Sequence, residues 1–211
     1  NGEAIVLLNV LTFRGVWQNA FEAKDTVREK FTTPWGESSV NMMRRTGEYK
    51  YFANDLVSGV EIPYKDENLV MNVLLPTQAE NDAGFTNLAR ITRELPKNLD
   101  TYLASAKMAK LDLRLPRFVM RGGGDYVEIL KKFGITDIFE PGGDWSKICG
   151  NNFLIVSRII QQAALVVDEH GSRGAAASAA GEPGEILEEF KVNRPFVVLI
   201  RDTKRNLILF A

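Results

Sequence analysis

Residues 169–196 read EHGSRGAAASAAGEPGEILEEFKVNRPF. Between Gly171 and Glu185 there is no large apolar side chain, so nothing in that run can build a core. The composition is that of a linker, yet it falls late, with only enough chain after it for one or two strands. The segment is either slack or a moving part, and the rest of the chain has to say which.

The 211 residues are 45% apolar and 25% charged with a net charge of −1, the composition of a soluble globular domain or part of one. With no basic bias there is no electrostatic footprint for nucleic acid. No stretch reaches the length of a membrane span, and NGEAIVLLNVLTF lacks the basic leader and cleavage site of a signal peptide. One cysteine, Cys149, leaves no internal disulfide, and no Asn-x-Ser/Thr acceptor occurs. Residues 4–11, AIVLLNVL, read as a strand buried on both faces. A chain opening in such a strand reads as the later part of a domain whose earlier helices and strands precede Asn1.

Further along, Gly15 marks a turn before the aromatic anchors Trp17 and Phe21. Residues 26–52 read as hairpin strands around Pro34-Trp35-Gly36, and 58–76 as two strands around the polar turn Lys65–Asn68. Phe85, Leu88, Ala89, Ile91 and Leu95 have helical spacing, with Pro96 stopping or kinking the helix before a short second one at 98–106. Leu111, Leu113 and Leu115 alternate with Asp112 and Arg114, which predicts a strand with one wet face. Tyr126, Ile129, Leu130 and Phe133 form a helical stripe that ends at Gly134. Residues 153–167 are mainly apolar, and FVVLIRD and NLILFA read as two final strands. The total is α+β and strand-dominated, with at least one large sheet covered on both sides.

No catalytic constellation stands out. His170 has no Ser or Cys motif beside it, and there is no phosphate loop, Gly-x-Ser-x-Gly or metal-spaced His/Cys set. RGGGDY at 121–126 reads as a plain turn, DEHG as a charged turn after a strand, and Cys149 as a structural thiol. The expectation is a protein that is not an enzyme and holds no metal or cofactor.

Ordered motifs over the whole chain resemble the serpin family. LLNVLTFRGVWQNAF is similar to its Asn-x-x-x-Phe-(Lys/Arg)-Gly-x-Trp-x-x-x-Phe strand and turn. VNMMRRTGEYKYF, LVMNVLLP, LRLPRF and EILKKFGITDIFEPGGDWSKI resemble its successive strand and helix segments. VVDEHGSRGAAASAA resembles the hinge of its reactive loop, and FKVNRPFVVLIRD its closing strand. The resemblance implies a single serpin domain over 1–211 with its N-terminal part before Asn1. It further implies large mixed and antiparallel sheets with surrounding helices, and an exposed reactive-centre loop at about 169–190. It implies a suicide substrate for a serine protease, whose cleaved loop inserts as a new middle strand of the large sheet. The alternative within the family is a non-inhibitory member with a binding, carrier or storage role.

On that resemblance the hinge comprises Glu169, Gly171, Ser172, Gly174, Ala175, Ala176, Ala177 and Ser178. Alternation sends Ser172, Gly174, Ala176, Ser178 and Ala180 toward the core, all small enough to enter without overpacking. Gly174 weakens a strand by roughly 0.5–1 kcal/mol. Glu182 would also point inward, and Pro183 lacks the N–H a middle strand needs, so insertion from Ser172 to about Ala180 is expected. The scissile bond lies among Gly184, Glu185, Ile186 and Leu187. No Lys or Arg stands between Arg173 and Lys191, so the partner is a chymotrypsin- or elastase-like protease rather than a trypsin-like one. A secreted, extracellular monomer is expected, with an intracellular setting as the alternative and polymerisation by loop–sheet exchange as its failure mode.

Overall fold

A computed structural model describes residues 3–77, 85–141, 145, 147, 154–170 and 188–211. Its strands are β1 (Glu3–Phe13), β2 (Val27–Thr33), β3 (Gly36–Ala53), β4 (Val57–Pro63), β5 (Leu69–Pro76), β6 (Lys107–Pro116), β7 (Phe118–Asp125), β8 (Leu154–Val167), β9 (Glu188–Lys191), β10 (Val197–Asp202) and β11 (Leu207–Phe210). Among the described residues the helices α1 (Phe85–Ala104) and α2 (Val127–Lys132) accompany them. These elements fall into two compact units, residues 1–14 with 119–166 and residues 15–118 with 167–211.

The first unit is a three-stranded sheet in the order β1-β8-β7. β1 and β8 run parallel in register from Glu3 opposite Leu154 to Phe13 opposite Leu165. The register shifts between Ile5 and Val6, and the Ser157 hydroxyl at the shift donates to the Ile5 carbonyl at 3.1 Å. The sequence predicts β1 buried on both faces, but in this chain Val6, Leu8 and Val10 on one face and Leu7 and Leu11 on the other are 38–65% exposed. The reason is geometric: the described helix of this unit, α2, has six residues and cannot cover strands of 11 and 14. Its apolar stripe is likewise open, with Phe133 80% exposed. Gly134, at φ 85°, turns the chain out of α2 as expected.

RGGGD is strand, not the plain turn its glycines suggest. At Gly123 φ is 148°, and a Cβ built there would lie 2.1 Å from the Gln161 carbonyl of β8. Glycine is present because β8 passes too close for any side chain.

The second unit holds an eight-stranded sheet, β11-β10-β5-β4-β3-β6-β9 with β2 on β3. Pairing is antiparallel except between β6 and β9, which are parallel. The period-2 reading of β6 holds on one face: Leu111, Leu113 and Leu115 are fully buried, as are Met42 and Met43 on β3. On the other face Asp112 is buried and not wet. It accepts from Arg44 on Oδ1 and Oδ2 at 2.8 and 3.0 Å and from Arg114 on Oδ2 at 3.0 Å. Burial alone would push the Asp112 carboxyl up, but hydrogen bonds from Arg44 and then Arg114 outweigh it and hold it below the usual carboxylate range.

α1 is one helix, with Pro96 inside it rather than at its end. An interior proline costs about 3 kcal/mol, but Ile91 and Leu99 flank it and are both buried with Phe52, Val57, Leu74 and Leu199. That shared core holds both halves against the same strands.

Candidate functional site

The site begins where β8 ends. Trp17 and Phe21, flagged as anchors by the sequence, are each 1% exposed. The Trp17 ring stacks on Tyr64 at 4.5 Å and meets Phe21 edge-on at 6.2 Å. Residues 16–18 are stitched to 63–65 by Gln18 N–H to the Pro63 carbonyl (3.0 Å) and Lys65 N–H to the Val16 carbonyl (2.7 Å). This block grips the three residues after β8. The Trp17 indole N–H donates to the Asp168 carbonyl at 2.9 Å. Phe21 N–H donates to the Glu169 carbonyl at 2.9 Å and Trp17 N–H to the His170 carbonyl at 3.3 Å.

Glu169 and His170 form a turn, as the charged stretch suggests, but Glu169 is buried in it, 6% exposed. The Thr26 hydroxyl donates to its Oε1 at 2.8 Å, and Arg117 Nε stands 3.4 Å from its Oε2. Asp168 accepts His170 N–H at 2.9 Å, which closes the turn on itself. A buried carboxylate thus pins the start of the candidate loop through two partners.

The other end is β9, four residues parallel to β6 from Glu188 opposite Leu111 to Lys191 opposite Arg114. Four rungs of an edge strand hold weakly, and side chains reinforce them. Phe190 and Val192 are buried, and Phe190 meets Tyr51 edge-on at 6.0 Å. Arg114 ion-pairs with Glu189 at 3.1 Å and Glu29 at 3.5 Å, and Lys191 pairs with Glu29. Beyond β9, Thr32 N–H donates to the Asn193 carbonyl at 2.8 Å, and Arg194 donates to the Pro76 carbonyl at 2.6 and 2.9 Å.

Of the predicted site residues, Glu169 is therefore placed and held. Gly171, Ser172, Gly174, Ala175, Ala176, Ala177 and Ser178 lie outside the described residues, as do Gly184, Glu185, Ile186 and Leu187. Sequence reasoning missed the groups that do the holding: Thr26, Arg117, Glu29 and Arg114. Arg117 lay inside the quoted LRLPRF motif, but no local pattern connects Thr26 with a carboxylate 143 residues away. Cys149 also lies outside the described residues. Among the described residues no group of three or more His, Cys, Asp or Glu side chains could hold a metal ion, and no helix is long and apolar enough to cross a membrane.

Comparison with known proteins agrees with the motifs. The family model for serpins (serine protease inhibitors) matches residues 1–211. Human Serpin B3 is 34% identical over 98% of this chain and 54% of its own length. Human antithrombin-III is 33% identical over 98% of this chain and 45% of its own. The solved serpin from the trematode Schistosoma haematobium superposes with a TM-score of 0.80 at 29% identity, covering 95% of this chain and 54% of that one. The chain spans about half the length of these relatives. It belongs to the serpin family, a family of protease inhibitors rather than enzymes, and carries part of the serpin fold.

Proposed function

We propose that the protein is a serine protease inhibitor that acts as a suicide substrate, with residues 171–187 as the bait. The observation that supports this best is the β1–β8 pair. These strands are neighbours and parallel, and parallel ladders are slightly less stable per residue than antiparallel ones. β8 runs directly into Asp168–His170 and then into residues 171–187. A segment doubling back from His170 runs antiparallel to β8, and because β1 is parallel to β8 it is antiparallel to β1 as well. Entering between them, it exchanges one parallel ladder for two antiparallel ones. Cleavage between the two anchors is what frees it to do so. Ser172, Gly174, Ala176, Ser178 and Ala180 are small enough for the inward positions of such a strand.

Glu182 and Pro183 favour a second reading, a non-inhibitory serpin whose loop inserts poorly. The partner is a chymotrypsin- or elastase-like protease cutting among Gly184, Glu185, Ile186 and Leu187. The setting is extracellular, with an intracellular one as the alternative, and the protein is a monomer able to polymerise by loop–sheet exchange. The test is to mix the full-length protein with elastase and with chymotrypsin. A denaturant-resistant covalent complex, with the free inhibitor's nicked form melting higher, is the expected result. Cleavage without complex and without a melting shift assigns the second reading.

A further inference from the structure

Trp35 is 92% exposed at the tip of the β2–β3 hairpin. One exposed apolar residue is ordinary on a protein surface; two further observations set this one apart. The tip is stiff. Thr33 Oγ1 donates to the Gly36 carbonyl at 2.7 Å and accepts Trp35 N–H at 3.3 Å. Pro34 has a fixed φ, and Gly36 takes φ 127° without strain. The indole is held out on a preorganised turn, which lowers the entropy lost when it is bound.

The second observation is where β2 lies. Thr26, just before it, holds Glu169 at the start of the candidate loop. Glu29 pairs with Lys191, and Thr32 donates to Asn193, both just past its end. Phe31 meets Phe196 edge-on at 6.4 Å. One strand is thus tied to both sides of residues 171–187, and Trp35 stands two residues beyond its end. From Thr26 to the tip is roughly 25–30 Å at the usual strand rise. A compact domain of about 200 residues has a radius of gyration of about 16 Å. Measured from Thr32, the β2 residue tied to Asn193, Trp35 is within about 10 Å, so a partner of that size engaging residues 171–187 can reach it. Around the indole the hairpin is polar, with a Lys30–Glu37 ion pair at 2.7 Å and Arg28 donating to Ser39 at 3.0 Å. An aromatic anchor inside a polar rim is the usual anatomy of a binding hot spot.

We propose that Trp35 is an exosite anchor. It enters an apolar depression on the surface of the serine protease that engages the loop, and adds affinity outside the scissile sequence. The proposal rests on the reading that a protease takes the loop, but not on trapping. The test uses the full-length protein as wild type, Trp35→Ala and Trp35→Phe. The probes are pancreatic elastase and chymotrypsin with the catalytic serine blocked, so that docking is read without chemistry. The active enzymes then report the Michaelis constant for loop cleavage.

Trp35→Ala should weaken docking about 30-fold and raise that Michaelis constant by a similar factor. Trp35→Phe should recover most of both. Melting temperatures should not move, because the side chain touches little of its own fold. Cleavage without a stable complex, with the Trp35 effect present, would sink the inhibitory reading and leave the exosite standing. Covalent complex with no Trp35 effect would do the reverse. Failure of both enzymes to engage the wild type overturns the exosite, as does a wild-type dimer that Trp35→Ala converts to monomer, which would make a second copy the partner.

Discussion

Reversing the charge of Glu169 tests whether the start of the loop is held as the geometry indicates. The residue is 6% exposed, and its carboxylate accepts the Thr26 hydroxyl at 2.8 Å and faces Arg117 at 3.4 Å. Glu169→Gln keeps the shape and removes the charge. The Arg117 side chain is 48% exposed, so that ion pair is screened and contributes about 0.5–1 kcal/mol. The Thr26 bond falls from charge-assisted to neutral, a loss of about 1 kcal/mol. The expected destabilisation is about 2 kcal/mol. Glu169→Lys adds repulsion: two cations about 4 Å apart cost about 4 kcal/mol at an effective dielectric of about 20. Lysine relieves part of this by swinging its ammonium toward water, so the net expectation is about 3–5 kcal/mol. Urea unfolding of the full-length protein measures both variants. The double variant Glu169→Lys with Arg117→Glu restores opposite charges and should recover about 1–3 kcal/mol of coupling. If Glu169→Lys lies within about 1 kcal/mol of wild type, or the coupling is zero, Glu169 does not pin the loop and the description of the first anchor is wrong.

Gly123→Ala should destabilise by about 3 kcal/mol, since its Cβ would meet the Gln161 carbonyl at 2.1 Å; hydrogen exchange should accelerate along β7 and β8, and wild-type exchange would refute the close approach. The Asp112 carboxyl is held low when folded, so its contribution is present above its unfolded value of about 3.9 and is lost as pH falls through the lower folded one. The gap in urea midpoint between wild type and Asp112→Asn should therefore be constant from pH 7 to about pH 5 and close below about pH 4; a gap that persists at low pH would contradict the ion lattice. Ser172→Arg should turn an inhibitor into a substrate, read as the ratio of cleaved to complexed product, because an inward arginine cannot enter the strand position that serine fits; an unchanged ratio would count against a moving hinge.

Much of the fold was legible because the signals are local. Alternation of Leu111, Leu113 and Leu115 fixes a strand by itself, since successive side chains point to opposite faces. The polar turn at 65–68 separates two apolar runs that do form β4 and β5, and the glycine after Phe133 does end α2. Where local signals misled, a distant neighbour had decided the matter. Three consecutive glycines argue for a turn until β8 is seen passing at 2.1 Å from where a side chain would be. Pro96 argues for a helix end until Ile91 and Leu99 are seen buried together on its two sides. Asp112 and Arg114 argue for water until Arg44, 68 residues from Asp112, is seen across the ladder.

The same division runs through the site. The ordered motifs in the sequence determined by themselves the family, because each motif is carried by neighbours along the chain. Only the tertiary structure decided how the loop's ends are held: Glu169 by Thr26 and Arg117, Lys191 by Glu29, and Trp35 set out on the strand tied to both ends. A hydrogen bond or an ion pair depends on a few ångströms in space and is indifferent to separation in sequence. Partners drawn from residues 143 apart become visible only when the sheets have brought them together.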